Sequence, residues 1–287
     1  MEKRKKILIV GGDMRQIFCA GRLAEEFDIY TIGIDKNRFP DNIDLPAATP
    51  EMTGQFDYAV LPVTPPDERG NISASLFSGT LPVALILPLL SKNAVVFTGM
   101  NSTRLESLFF GHRIEAYMER EELSLKNAVP TAEGAVMIAL EELPVTLNGL
   151  PVLIVGMGRI GTALALILKG FGADITAAVR SSESAARSRI LGVPAIYTKN
   201  ITGNYGLVFN TAPNLVFDNE LLKKFPDDTL FIDLASRPGG FDFEEAAVLG
   251  KKVLWALGIP GKTAPVTAGI AVAETISEII SHERSKI

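Results

Sequence analysis

Residues 152–161 read Val-Leu-Ile-Val-Gly-Met-Gly-Arg-Ile-Gly, an apolar run that leads directly into a glycine-rich turn. The spacing is G-x-G-x-x-G, and residues 162–169 favour a helix. A strand, this turn and a helix together begin a dinucleotide-binding domain, because the glycines let the backbone approach a pyrophosphate and the helix N-terminus offers free N–H groups. The predicted cofactor contacts in the turn are Gly156, Met157, Gly158, Arg159, Ile160 and Gly161.

A second strand is predicted at residues 173–179, and it ends in Arg180, Ser181 and Ser182. An NAD-specific site carries an acidic residue at this point, where it binds the ribose hydroxyls. A guanidinium with two hydroxyls suits a 2′-phosphate instead. The sequence therefore predicts NADP(H) as the cofactor, with NAD(H) as the less favoured choice. A glycine turn in a domain that binds no ligand is the alternative.

The composition narrows the classes of function. A chain of 287 residues, 47% hydrophobic and 21% charged, is long enough for two domains and is not typical of disorder. The net charge of −5 argues against nucleic-acid binding, and the longest apolar run, residues 81–90, is too short to span a membrane. Cys19 is the only cysteine and is expected to pack on the first helix in a reducing cytoplasm. No metal site is expected, because no histidine pair has ligand spacing.

The two halves of the chain are related in pattern. Residues 7–12 align with residues 152–157, so both halves begin as βαβ units of doubly wound, Rossmann-like α/β domains. In the first half Asp13 stands where the second glycine would be, and its carboxylate would repel a phosphate. Asp13 and Arg15 are therefore predicted either to line a substrate cleft or to form a helix N-cap with a surface ion pair.

The domain boundaries are predicted from interruptions in the helical patterns. Pro130 is expected to end one helix and Thr131 to cap the next. A last helix, residues 268–281, is expected to return to the first domain. A substrate cleft is expected between the two domains. The predicted domains are residues 1–126 completed by 268–287, for substrate and partner, and residues 127–267, for NADP.

Three polar segments follow further predicted strands. They read Phe-Asn-Thr-Ala-Pro at 209–213, Phe-Ile-Asp-Leu-Ala-Ser-Arg-Pro-Gly-Gly-Phe-Asp at 231–242, and Leu-Gly-Ile-Pro-Gly-Lys-Thr-Ala-Pro-Val-Thr-Ala-Gly at 257–269. With residues 127–134 and the glycine turn at 156–161, this set closely resembles the dipicolinate synthase A-subunit family. The resemblance covers essentially the whole chain, from the Gly-Gly-Asp-x-Arg turn at 11–15 to the final helix. The Asp-Leu-Ala-Ser-Arg-Pro-Gly-Gly and Pro-Gly-Lys-x-Ala-Pro-x-Thr-Ala-Gly strings are the specific ones.

The resemblance implies a nicotinamide-dependent oxidoreductase that acts with a flavoprotein-like B-subunit of dipicolinate synthase. Together the two proteins would oxidise dihydrodipicolinate, or the hydroxylated tetrahydro precursor in equilibrium with it, to pyridine-2,6-dicarboxylate. The resemblance also places the protein in the cytoplasm of the mother cell of a sporulating bacterium. A homo-oligomer is expected, with a number of copies that the sequence does not fix.

A dicarboxylate substrate requires cationic partners. Arg237 suits a carboxylate because its guanidinium can form two parallel hydrogen bonds. The chain also resembles, more distantly, the 2-hydroxy-acid dehydrogenases, which likewise place a substrate-binding arginine after a strand. Lys262, in a predicted glycine-proline loop, is the second cation or an acid–base group, so both are predicted catalytic residues. The other predicted substrate contacts are Ser236, Gly239, Gly240, Arg15, Asp13, Thr131 and Glu133. The other predicted cofactor contacts are Asn210, Thr211, Pro213 and Asp233.

Two other functions stay open. A 2-hydroxy-acid dehydrogenase would exchange the alcohol proton through a histidine after its last strand. In that region residues 260–262 read Pro-Gly-Lys, and no histidine lies between His112 and His282. His112 is predicted to lie at the start of a charged helix. The other possibility is a non-catalytic NADPH-binding protein that senses redox state or stabilises its partner.

Overall fold

The computed structural model describes residues 4–284, without the side chains of residues 283 and 284. Residues 1–3 and 285–287, which belong to the predicted first domain, lie outside the described residues. Backbone contacts divide the chain into two compact units, Met1–Lys126 with Ala264–Ile287 and Asn127–Thr263. Among the described residues, no helix combines the length and the apolar character that crossing a bilayer requires.

Strands and helices alternate along most of the chain. In chain order they are β1 (Lys6–Val10), α1 (Met14–Leu23), β2 (Asp28–Ile32), β3 (Phe56–Val60), β4 (Leu90–Thr98), α2 (Thr103–Leu108), β5 (Arg113–Ala116), α3 (Glu121–Glu142), β6 (Pro151–Val155), α4 (Arg159–Gly170), β7 (Asp174–Val179), α5 (Ser182–Ile190), β8 (Ala195–Tyr197), β9 (Leu207–Asn210), α6 (Asn219–Leu222), β10 (Leu230–Asp233), α7 (Phe243–Val248), β11 (Lys252–Trp255), α8 (Ile259–Thr263) and α9 (Pro265–Arg284).

The first unit contains a parallel sheet of order β2-β1-β3-β4-β5. Side chains of β1 alternate between two cores, because successive residues of a strand point to opposite faces. Ile7 and Ile9 pack with α1 and α9, whereas Leu8 and Val10 belong to the core on the other face. The sheet is thus covered on both faces, as parallel sheets require.

The second unit contains a six-stranded parallel sheet of order β11-β10-β9-β6-β7-β8. When its strands are counted from β6, this is the 3-2-1-4-5-6 order of dinucleotide-binding domains. The direction of winding reverses between β6 and β9, and in such sheets ligands bind beyond the carboxyl ends of the strands at that point. The predicted fold class, two doubly wound α/β domains, is confirmed.

The predicted helix break at Pro130 is wrong, because α3 continues through it. Proline removes one backbone hydrogen bond of the helix, and buried residues on both sides of it, Ala128 before and Ala132 after, favour the helical path through Pro130. Thr131 is therefore not an N-cap. Its hydroxyl donates to the Asn127 carbonyl at 2.7 Å, one turn earlier in the same helix.

Three further expectations about local structure need correction. The last helix begins at Pro265, since proline suits a first helical position, and the unit boundary accordingly falls after Thr263 and not after residue 267. Lys262 lies in the short helix α8 and not in a loop. The segment after His112 is strand β5 and not a charged helix, because its charged residues alternate with apolar ones.

Candidate functional site

The glycine turn after β6 has the geometry that its sequence predicts. Gly156 has φ +93°, and a side chain there would overlap the Thr211 hydroxyl, while a Cβ on Gly161 would overlap the Gly156 carbonyl. The Thr211 Oγ1 donates to the carbonyl oxygens of Val155 at 2.9 Å and Gly156 at 3.3 Å. Thr211, a predicted cofactor contact, thus fixes the turn in place from the neighbouring strand β9.

The N-terminus of α4 is open toward a ligand. Gly158 caps this helix without a side-chain hydrogen bond, and the first turn carries no acidic residue. A Cβ on Gly158 would meet nothing within 4 Å, so free space lies beside the backbone at this point. Arg159 is exposed and Met157 is buried below the turn. Free N–H groups, a favourable helix dipole and this space fit a pyrophosphate.

The end of β7 carries the predicted 2′-phosphate residues. Ser181 caps α5, since its Oγ accepts a hydrogen bond from the Ser184 N–H at 3.1 Å, and Ser182 is exposed in the first turn of α5. Arg180 is exposed and lines a pocket of about 380 Å³. The other lining residues, which were not predicted, are Tyr197, Thr198 and Lys199 from the end of β8.

Asn210 and Asp233, predicted as cofactor contacts, are a buried pair at the ends of β9 and β10. Both are fully buried. The Asn210 Nδ2 donates to the Asp233 Oδ1 at 2.7 Å and to the Ala212 carbonyl at 3.0 Å. The Asp233 carboxylate also accepts the N–H groups of Ala235 at 3.1 Å and Gly240 at 2.8 Å. These side chains bond to each other and to the backbone and so shape the loops above the sheet, and their role as cofactor contacts stays a prediction.

The glycine pair 239–240 packs against these two side chains. The Gly240 N–H is already donated to Asp233, and a Cβ on Gly240 would overlap the Asn210 amide. The Gly240 N–H is thus already used within the protein, and its contact with a substrate stays a prediction. The Gly239 N–H donates to the Ser236 carbonyl at 2.9 Å, so this residue closes a turn. Ser236 and Pro213 are exposed.

Arg237 projects from the turn after β10 onto an aromatic surface. Its guanidinium lies 5.5 Å from the centre of the Trp255 ring, a cation–π contact. Trp255 is held by a hydrogen bond from its Nε1 to the Ala235 carbonyl at 3.0 Å and by stacking with Phe243 at 4.7 Å. Among the described side chains, Arg237 forms no ion pair with a carboxylate. A positioned arginine of this kind suits an incoming carboxylate.

The remaining predicted residues of the second unit are more dispersed. Lys262 is exposed on α8, and within the described chain it has no hydrogen bond or ion pair. Glu133 is exposed on α3, where it lines a groove with Met137, Leu140 and Phe171. This apolar groove does not resemble a site for a dicarboxylate, so Glu133 gains no support as a substrate contact. The hydroxyl of Thr131 is used within α3.

Asp13 and Arg15 form a partly buried ion pair at the end of β1. Asp13 caps α1 by accepting the Arg15 N–H at 3.0 Å, and Arg15 Nη2 lies 2.7 Å from Asp13 Oδ2. The Arg15 side chain is 15% exposed and the Asp13 side chain 38% exposed, so the arginine is the buried member of the pair. Burial works to lower the pKa of Arg15, but the hydrogen bond and charge of Asp13 outweigh it and raise that pKa. Arg15 stays charged.

The pair lines a cavity of about 190 Å³ in the first unit. The cavity also receives the hydroxyl-bearing residues Ser73, Ser75 and Thr64, of which the serines carry no recognisable sequence signal. The Ser75 hydroxyl donates to the Gly12 carbonyl at 3.1 Å. The cavity therefore holds a charged but internally paired arginine beside several hydroxyls, since both carboxylate oxygens of Asp13 already accept hydrogen bonds from Arg15. No cluster of His, Cys, Asp and Glu that could bind a metal occurs among residues 4–284.

Comparison with known proteins accounts for both units. Residues 6–128 match the family model of the N-terminal domain of the dipicolinate synthase A-subunit. Residues 131–242 match the NAD-binding domain of D-isomer specific 2-hydroxyacid dehydrogenases. The second unit is thus an NAD(P)-binding domain of the dehydrogenase type, which agrees with its strand order and glycine turn.

Whole-chain relatives are similar as well. The dipicolinate synthase A-subunit of Bacillus subtilis (strain 168) is 32% identical over 293 residues, which covers 96% of each chain. The crystal structure of the dipicolinate synthase A-subunit from Bacillus halodurans superposes with a TM-score of 0.88 at 29% identity, covering 97% of this chain and 98% of that one. The Bacillus subtilis crystal structure gives a TM-score of 0.87 at 29% identity, covering 100% and 99%. The chain belongs to the dipicolinate synthase A-subunit family.

Proposed function

We propose that this chain is the NADP(H)-binding component of a dipicolinate synthase and works with a flavoprotein-like B-subunit. The observation that carries the proposal is the match of the whole chain, in sequence and fold, to dipicolinate synthase A-subunits. The open space beside Gly158, in front of the α4 N-terminus, supports dinucleotide binding by the second unit.

The proposed reaction is the aromatisation of dihydrodipicolinate. The ring loses one hydride and one proton and becomes pyridine-2,6-dicarboxylate, and the hydroxylated tetrahydro precursor reaches the same product after loss of water. Bound NADP⁺ supplies the hydride acceptor. The gain in aromatic stabilisation favours the step, so the protein needs only a weak base for the ring proton. This agrees with a sequence that has no histidine between His112 and His282.

In this proposal Arg237 binds a substrate carboxylate. Its guanidinium lies 5.5 Å from the centre of the Trp255 ring and has no carboxylate partner among the described side chains, so its N–H groups remain for bidentate bonding to the substrate carboxylate. Lys262 supplies a second positive charge at the reacting centre. Its free ammonium on α8 supports that role, since no carboxylate within the described residues neutralises it. Arg15, in its hydroxyl-lined cavity, is a further carboxylate-binding group of the first unit.

The cofactor specificity is tested by changing Arg180. Replacement by Asp removes a charge-assisted hydrogen bond to the 2′-phosphate, and we expect NADPH binding to weaken by about 1.5–3 kcal/mol. NADH affinity should change little or improve. Calorimetric titration of the full chain with both cofactors measures this. Equal affinity of the wild type for NADH and NADPH would remove the basis for NADP(H).

The reaction is tested with the purified full-length chain, the B-subunit, dihydrodipicolinate and NADP⁺. We expect one NADPH for each dipicolinate formed, measured by absorbance and chromatography. Oxidation of simple 2-hydroxy acids in place of dihydrodipicolinate would indicate a hydroxy-acid dehydrogenase, which the match of residues 131–242 keeps as the second candidate. NADPH binding without turnover under any condition would indicate a regulatory protein.

The cellular setting and assembly belong to the same proposal. A component of dipicolinate synthase would act in the mother-cell cytoplasm of a sporulating bacterium, and the chain would form a homo-oligomer as well as contact the B-subunit. Fluorescent tagging in sporulating cells and sedimentation of the purified chain measure these two points. Diffuse expression in vegetative cells alone, or a strict monomer at all concentrations, would contradict them.

A further inference from the structure

A small pocket lies where β7 and β8 end in the second unit. The two strands are parallel neighbours in register, with Val179 opposite Tyr197, so the residues that follow them emerge at the same edge of the sheet. Arg180 follows β7, and Thr198 and Lys199 follow β8 in a short helical turn. These residues and Tyr197 line the pocket of about 380 Å³.

The charges in this pocket are not balanced by the protein. Arg180 and Lys199 are both exposed, and neither has an ion pair or hydrogen bond with any described residue. The acidic residue closest in sequence to Arg180 is Glu183, which is paired with Arg187 at 3.1 Å. No acidic residue lines the pocket, although the chain as a whole has a net charge of −5. Two unpaired cations of this kind repel each other until an anion binds between them.

The position of the pocket relates it to the glycine turn. The turn follows β6, Arg180 follows β7, and Lys199 follows β8, and these three strands are adjacent in that order. A dinucleotide whose pyrophosphate lies at the turn extends its adenosine half along this edge of the sheet. The group that reaches Arg180 is then the substituent on the adenosine ribose.

We propose that Lys199 is a specificity-determining residue that binds the 2′-phosphate of NADP(H) together with Arg180. The inference rests on the proposed cofactor site of the second unit. It adds to that site a residue after β8, a strand whose sequence carries no nucleotide-binding motif. A phosphomonoester has nearly two negative charges and three acceptor oxygens, so it has bonding capacity for both an arginine fork and a lysine ammonium. Tyr197, which is about half exposed, lines the same pocket.

The test uses 2′,5′-ADP and 5′-AMP, which differ only in the 2′-phosphate, in calorimetric titrations of the full chain. Lys199→Gln should weaken 2′,5′-ADP and NADPH by about tenfold, the scale of one charge-assisted hydrogen bond, and should leave 5′-AMP and NADH within about twofold. Lys223→Gln, at an exposed lysine of the same unit outside the pocket, is the matched control and should change none of the four affinities.

The outcomes separate this inference from the cofactor proposal. If Arg180→Asp weakens 2′,5′-ADP and Lys199→Gln does not, the role of Lys199 is refuted and the NADP(H) assignment stands. If the wild type binds 5′-AMP as tightly as 2′,5′-ADP, the cofactor proposal itself fails. If inorganic phosphate alone binds as tightly as 2′,5′-ADP, the pocket is a general anion site and the inference is overturned. Unchanged thermal midpoints confirm that both variants are folded.

Discussion

Replacing Gly158 with alanine is expected to abolish most NADP(H) binding and to leave the fold unchanged. The added methyl group meets no protein atom within 4 Å, and the backbone at this N-cap has φ −82°, which alanine adopts without strain. The same methyl group occupies the space beside the α4 N-terminus where the pyrophosphate has to approach the backbone.

The magnitudes follow from these two environments. Alanine lowers the entropy of the unfolded chain relative to glycine, which raises the free energy of unfolding by about 0.4–1 kcal/mol. Alanine is also a poorer N-cap than glycine, which lowers it by a similar amount, so the net change should be less than about 1 kcal/mol. Loss of one charge-assisted N–H bond to the pyrophosphate costs about 1.5–3 kcal/mol, which weakens binding by roughly 10- to 150-fold.

Gly170→Ala is the matched control, because Gly170 lies at the other end of the same helix and also has nothing within 4 Å of an added Cβ. Urea unfolding gives the stability of both variants, and calorimetric titration gives their NADPH affinity. Gly158→Ala should lose NADPH affinity and keep its stability, and Gly170→Ala should keep both. Normal NADPH affinity in a folded Gly158→Ala variant would refute this account of the phosphate site.

Four further changes test other parts of the structure. Asp233→Asn places a buried amide against N–H donors and should lower the free energy of unfolding, measured in urea, by about 2–4 kcal/mol. The control is Asp218→Asn at the exposed N-cap of α6, which should cost under about 0.5 kcal/mol because Asn caps helices as well as Asp does. Arg237→Lys keeps the charge but loses the fork, so kcat/KM for dihydrodipicolinate should fall while calorimetric NADPH affinity holds; equal loss of both would contradict its substrate role. Lys262→Ala should lower kcat more than it raises KM, and normal kinetics with a lower thermal midpoint would assign it a structural role. Burial raises the pKa of the Cys19 thiol from 9.0 to about 12. The stability that the buried neutral thiol contributes is therefore present below pH 9 and is lost as the pH rises toward 12. Between these pH values the thermal midpoint of the wild type should fall more steeply than that of Cys19→Ala.

The features that the sequence predicts well are those with a local pattern. The glycine turn is one, because its spacing, the strand before it and the helix after it all lie within about twenty consecutive residues, as the fingerprint requires. The positions of Arg180 and Arg237 after strands follow from the same kind of local pattern. Parallel sheets in both halves follow from the alternation of strands and helices, since such units form parallel sheets.

The features that the sequence does not predict depend on partners distant along the chain. The Asn210–Asp233 pair joins two strands, and neither residue alone indicates that both side chains are buried. The helix continues through Pro130 because packing of its buried face outweighs one lost hydrogen bond. Lys199 follows a strand of only three residues, which is too short to show a period of two.

A single-turnover experiment tests the central claim, that this chain holds the nicotinamide at which the substrate ring is oxidised. The full chain is preloaded with one equivalent of NADP⁺ and mixed rapidly with dihydrodipicolinate and the B-subunit, and NADPH absorbance is followed. We predict one NADPH per chain, formed at the same rate as dipicolinate, and a burst that disappears with Gly158→Ala. Dipicolinate formed at an unchanged rate by the B-subunit alone, or formed without NADPH, would contradict the claim.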